Sequence, residues 1–210
     1  MQRIQKLLPL VKPYYENSND PAHDWPHVGR VSSTARKLAA DNPNISMPVL
    51  LAAVYCHDLI NLPKDHPERT SASTMTADKA ETYLRQVDFN DSEIVLIKNA
   101  IIEHSFSKGL KPSSPEAAIL QDADRLDALG AIGILRCAAV NTLMKSSFYE
   151  PLDPLAEMRP LDDKRFMVDH YFVKLFKLPE MMNTSAGKSE ALMRVEVMKK
   201  FLDQLMTEIR

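Results

Sequence analysis

Glycine is scarce in this chain, with five in 210 residues, at positions 29, 109, 130, 133 and 187. No two stand at the G-x-G spacing, which excludes both the dinucleotide fingerprint and the phosphate-cradling P-loop. No G-x-S-x-G elbow occurs, so an esterase-type serine nucleophile has no support. Cysteine is scarcer still. Cys56 and Cys137 lie far apart and form no C-x-x-C, which removes the usual structural zinc sites. Both sit among apolar neighbours, the pattern of a buried reduced pair in a cytoplasmic protein. A surplus of one charge is also missing. The net charge of −2 lacks the basic excess of a nucleic-acid binder, and no nucleic-acid partner is expected. No run approaches the ~18 apolar residues of a membrane span, so no membrane partner is expected either. The N-terminal stretch MQRIQKLLPLVKPYY has no long apolar core and no small-residue cleavage site, and a secretory signal is not expected.

What is present is the composition of a folded protein: 45% apolar and 26% charged residues, enough chain for one sizeable core or two small ones. Helical periodicity runs through 28–40, 47–60, 71–87, 91–105 and 114–144, then roughly 162–177 and 187–209. MPVLLAAVYCHDLI (47–60) has a proline suited to a first turn and is apolar almost all round, as a buried helix is. In the long run 114–144, Gly130 and Gly133 suggest close helix–helix contact rather than a break. No sustained period-2 pattern bounded by turn residues occurs, so no sheet is expected. Proline-rich loops fall at 61–69, 108–115 and 149–160, the last a lid or a plain connector. The expected fold is all-α, a single domain over 1–210, with a core at about 20–145 and C-terminal helices at 160–209 packed on it.

With those chemistries excluded, histidine and carboxylate remain. The chain has six histidines, and four of them (His23, His27, His57, His66) precede residue 67. A His57-Asp58 pair at the end of a buried apolar helix is costly unless something satisfies both groups, and a divalent cation would. His27, from HDWPHVGRV, offers a second imidazole. Asp122 offers a second carboxylate, because it interrupts the apolar face Ile119-Leu120 in QDADRLDALG. Asp124 and Asp127 compete with it. Asp122 shares a stripe with Arg125 and Leu126, whereas Asp124 points elsewhere, and Asp127 can pair with Arg125 or another cation. Two histidines and two carboxylates leave octahedral positions for water and substrate, which suits Mn, Fe, Co, Ni or Mg better than a closed zinc site.

The order His27, His57-Asp58, Asp122, in the phrases HDWPHVGRV, AAVYCHDLIN and LQDADRLDALGAIGI, resembles the HD-domain superfamily of metal-dependent phosphohydrolases. The phrases look like those of its small stand-alone bacterial members, over most of the chain. That resemblance implies an all-α HD-domain helical bundle, with His27, His57, Asp58 and Asp122 as metal ligands. It implies a divalent cofactor, manganese first, with magnesium, cobalt, nickel, iron or zinc as others. It also implies a small phosphate substrate, a nucleotide by the same likeness. One feature departs from the pattern. Several members carry an acidic residue three positions after the HD aspartate to orient water, and here that position is Asn61. Asp65 or His66 then takes the role, or Asp58 with the metal suffices.

Around this centre the catalytic candidates are Asp58, Asp65 and His104. Arg30, Lys64, Arg69 and His104 are candidates for substrate contact, since Arg forks and Lys point charges suit phosphate oxygens. For Lys64 and Arg69 the bland alternative is a solvated charge beside a turn, and for His104 a satisfied interfacial histidine. His23 is read as hydrogen-bonding near the site; His170 and the Met-rich tail are assigned nothing. Two rivals stand beside the phosphohydrolase. One is a binuclear phosphodiesterase- or oxygenase-type site that adds His66 and His104. The other is a nucleotide-binding regulatory module without turnover, which Asn61 keeps open. A homodimer is compatible with the sequence.

Overall fold

The computed structural model describes residues 1–17, 20, 22–40, 42–62 and 66–209. Among the described residues the fold is all-α: α-helices, short 3-10 turns, and one isolated parallel bridge between Ser147 and Phe166. No single helix among them is long and apolar enough to cross a membrane. The chain forms two compact units, one made of Met1–Asn19 and His23–Asp124, the other of Asp20–Ala22 and Arg125–Arg210. The boundary falls inside a helix, after Asp124.

The first unit is organised around α3 (Met47–Cys56). Nearly every side chain of α3 is buried, as its unbroken apolar sequence requires. Against it pack α1 (Gln2–Glu16), α2 (Trp25–Ala39), α4 (Ala72–Gln86) and α5 (Asp91–His104). α2 starts where Asp24 accepts the His27 N–H at 2.9 Å, with Pro26 in its first turn. α5 starts in a reciprocal capping box between Asn90 and Glu93. α1 lies outside the segments that the sequence marks as helical. Pro9 and Pro13 stand inside it and disguise the stripe Ile4, Leu7, Val11, Tyr15 that it buries. Arg3 fastens α1 by a two-pronged bond to Glu93, at 2.6 and 2.8 Å. α6 (Pro115–Asp127) is tied to this unit by Gln121, which donates to the carbonyls of Glu103 and Leu110 at 2.7 and 2.9 Å.

The second unit holds α7 (Gly130–Leu143), α8 (Met167–Val173) and α9 (Ser185–Glu208), with a 3-10 stretch at Leu175–Met181. Here two expectations are corrected. The run 114–144 is not one helix, because the chain breaks after Asp127 and restarts at Gly130, whose φ of +71° is left-handed. Gly130 also meets a neighbour closely, since a Cβ there would lie 3.3 Å from Arg194 of α9. The glycines therefore mark both a break and a close contact. Cys137 is only half-buried, whereas Cys56 is fully buried and burial pushes its thiol up to about 12. Both are free thiols. Asp127 pairs with Arg136 at 2.9 Å. In the 149–160 loop, Asp153 accepts the N–H groups of Glu157 and Met158 at 2.9 Å each. Arg159 anchors the loop to the fully buried Asp169 at 2.6 and 2.7 Å. This is the build of a pinned connector.

Candidate metal centre

The site forms where helices end. His57 is the C-cap residue of α3 and His104 the last residue of α5. At each end an orphan carbonyl one turn back meets the imidazole, as His57 Nδ1 donates to Val54 O at 2.7 Å and His104 Nδ1 donates to Ile101 O at 2.6 Å. Both rings therefore turn Nε2 toward the site, the orientation that ligating histidines need. His27 arrives from the first turn of α2. Its Nε2 lies 3.2 Å from His57 Nε2, an approach of two basic nitrogens that asks for a shared cation.

The carboxylates complete the shell. Asp58 Oδ2 lies 3.3 Å from His57 Nε2 and 3.8 Å from His27 Nε2. Asp124 Oδ1 lies 3.6 Å from His27 Nε2 and 4.0 Å from His57 Nε2. Donors about 2.1 Å from one ion stand about 3.0 Å apart at right angles and about 4.2 Å apart when opposite. All five distances fall in that interval, and His27, His57 and Asp124 form one group of three donors that could hold a metal ion. A second group of three donors is His57, Asp58 and His104, with His104 Nε2 3.5 Å from Asp58 Oδ1.

The electrostatics agree. Burial opposes a charge on His57, yet the adjacent Asp58, by charge and hydrogen bond, and then Asp124 push it up to about 9. Burial likewise works against ionised Asp58, but His57 and His104 hold its carboxyl well below the usual range, with His23 adding to the effect. Asp124 is lowered against its burial by His27, His57 and His104. Clustered carboxylates that raise a neighbouring base in this way make a pocket for positive charge.

One candidate ligand lies apart from the others. Asp124, and not Asp122, stands with the histidines, and Asp122 belongs to neither donor group. Residues two apart on a helix point about 200° apart, so only one of them can face the site. Asp122 is fully buried, while the Asp124 side chain is 28% exposed. Among the other candidates, Arg30 is half-buried one turn after His27 on α2. His23 stacks edge-on at 5.8 Å from the His27 ring. The Arg69 guanidinium is turned onto Asn61 Oδ1 at 2.7 Å and onto the Leu62 carbonyl. His66 accepts the Glu68 N–H at 3.1 Å and joins no donor group among the described residues. Lys64 and Asp65 lie outside the described residues.

An all-helical chain whose histidines and aspartates gather into two donor groups that could hold a metal ion fits a class, that of hydrolases built on a His/Asp metal centre. The chain belongs to the HD-domain family, whose pattern it matches over residues 25–129. It is 30% identical over 193 residues to the uncharacterized protein YpgQ of Bacillus subtilis (strain 168), covering 89% of this chain and 84% of that one. Solved structures resemble it over nearly its whole length. A protein from Lactobacillus plantarum is 29% identical with a TM-score of 0.77, covering 99% of this chain and 96% of that one. An HD-superfamily hydrolase from Bacillus thuringiensis is 29% identical with a TM-score of 0.74 over the same shares. YpgQ in complex with ADP is 25% identical with a TM-score of 0.73, covering 99% and 95%.

Proposed function

We propose that this chain is a metal-dependent phosphohydrolase of a nucleotide or similar small phosphate compound, acting in the cytoplasm, with the ion held by His27, His57, Asp58 and Asp124. The observation that carries the reading is the set of five donor–donor distances between 3.2 and 4.0 Å. The complex of the relative YpgQ with ADP supports a nucleotide ligand. Manganese is the first candidate, since a mixed N/O donor set with open positions suits it. When bound, such an ion lowers the pKa of water and offsets charge on a phosphoryl group.

The chain's own residues supply the rest. Asp58 has one oxygen toward His57 and the other toward His104, so it can orient a water between them. His104 presents Nε2 at the edge of the site, where it would touch the phosphoryl group or the leaving oxygen. Arg30, one turn after His27, would hold phosphates that are not attacked. The test is release of phosphate and pyrophosphate across a panel of nucleoside mono- and triphosphates with Mn, Mg, Co, Ni and Zn. Turnover that chelation removes and Mn restores is expected; absence of release with every metal would overturn the reading in favour of a non-catalytic nucleotide-binding module. Metal content near one ion per chain is expected, and two would revive the binuclear alternative.

Arg30→Ala is expected to lower kcat/KM by roughly tenfold to a thousandfold, the range for losing a charge-assisted contact of about 1.5–4 kcal/mol. Metal content should be unchanged, because arginine is no ligand. Full activity in that variant would remove Arg30 from the phosphate contacts.

A further inference from the structure

The turn that bears Asp58 is held from outside. α3 ends at Cys56, and among the described residues the turn's own backbone adds a 3.3 Å bond from the Leu59 N–H to the Cys56 carbonyl. Thr76, fully buried on α4, reaches across to Ile60. Its hydroxyl accepts the Ile60 N–H at 3.2 Å and donates to the Ile60 carbonyl at 3.2 Å. A helical threonine ordinarily turns its hydroxyl back onto its own helix; here the hydroxyl satisfies both backbone groups of one residue on another segment. The next two residues are held by Arg69, which donates to Asn61 Oδ1 and the Leu62 carbonyl.

We infer that Thr76 is a positioning residue for Asp58, fixing the Ile60 peptide two residues away and with it the direction of the Asp58 carboxylate. The inference rests on the metal-site reading above. Without the hydroxyl, the peptide at Ile60 is free to rotate, and the Asp58 oxygens lose their fixed placement toward His57 and His104. Arg69 then acts with Thr76 on the same segment, a different task from the substrate contact that its charge suggests.

The test compares Thr76→Val, which keeps the shape and removes the hydroxyl, with Thr76→Ser, which keeps the hydroxyl. Manganese affinity is measured by titration calorimetry, and the melting temperature of each metal-free protein is measured in parallel. Thr76→Val is expected to weaken Mn binding roughly tenfold to a hundredfold, the usual effect of losing a group that orients a ligand; Thr76→Ser should restore near wild-type affinity. Val195→Ala, a core truncation on α9, serves as a variant of lowered melting temperature whose Mn affinity should not move. Should Thr76→Val fail to fold, Arg69→Ala loosens the same segment from its exposed side and is expected to weaken Mn binding about threefold to tenfold. Wild-type Mn affinity in Thr76→Val, or in Arg69→Ala where that substitutes for it, overturns the positioning role alone. No Mn binding by the wild-type chain overturns both this role and the metal-site reading.

Discussion

Asp124→Asn is expected to release the divalent ion, while Asp122→Asn, two residues earlier on the same helix, keeps it. Asp124 Oδ1 faces both histidines proposed as ligands, at 3.6 and 4.0 Å, and an amide oxygen in its place carries no charge to offset a divalent ion. A fourth ligand lost from a four-residue set leaves three donors and one of the ion's two charges unbalanced. Metal content by elemental analysis should fall to near background after dialysis, and hydrolysis should fall by at least about a hundredfold, the upper range for disturbing a group that orients a ligand. Asp122→Asn instead alters a fully buried carboxylate outside both donor groups. Its effect belongs to stability, read as a lower melting temperature with about one ion still bound. The reverse result, with Asp122→Asn losing metal and Asp124→Asn retaining it, would return the fourth ligand to residue 122.

That pair also shows how far the sequence can be read. His27 and His57-Asp58 are legible as candidates because their signal is local: a capped helix start, and a polar pair ending an apolar helix. The choice among Asp122, Asp124 and Asp127 is not. Interruption of an apolar face identifies a carboxylate that points into the core, and Asp122 does so. A ligand that must also meet solvent and substrate sits at the rim of that face. The signal that could have found Asp124 is the need for access, which shifts the choice by about 200° around the helix. The helical class followed from periodicity, yet α1 was hidden because Pro9 and Pro13 argue against a helix while the stripe Ile4, Leu7, Val11, Tyr15 argues for one. Packing on α3 and the Arg3–Glu93 pair decide in favour of the helix, and neither is visible locally. Its place at the end of an apolar-faced helix makes His104 a candidate for catalysis or substrate contact, and no more than that is local. Its meeting with Asp58 depends on α3 and α5 packing side by side.

The second large effect concerns Gly133 on α7. α6 closes with bonds from Ala128 N–H to Arg125 O and from Leu129 N–H to Leu126 O, at 3.1 Å each, and α7 opens as Gly133 N–H donates to Leu129 O at 3.2 Å. In this tight junction a Cβ on Gly133 would lie 2.3 Å from the Ala128 carbonyl oxygen and 2.5 Å from its carbon. Both are backbone atoms, so no side-chain rotation relieves the overlap, and the break itself must open. Gly133→Ala is therefore expected to destabilise the chain by about 2–4 kcal/mol, at or above the usual range for overpacking. In a chain of this length that lowers the melting temperature by roughly 4–16 °C. The control is Gly29→Ala on α2, where a Cβ meets nothing within 4 Å. There alanine's higher helix propensity should raise stability by about 0.5–1 kcal/mol. Thermal melts of the two variants, followed by circular dichroism, should move in opposite directions from the wild type. A Gly133→Ala melt at or above the wild-type midpoint would mean that the Ala128–Gly133 junction is looser than the close approach requires.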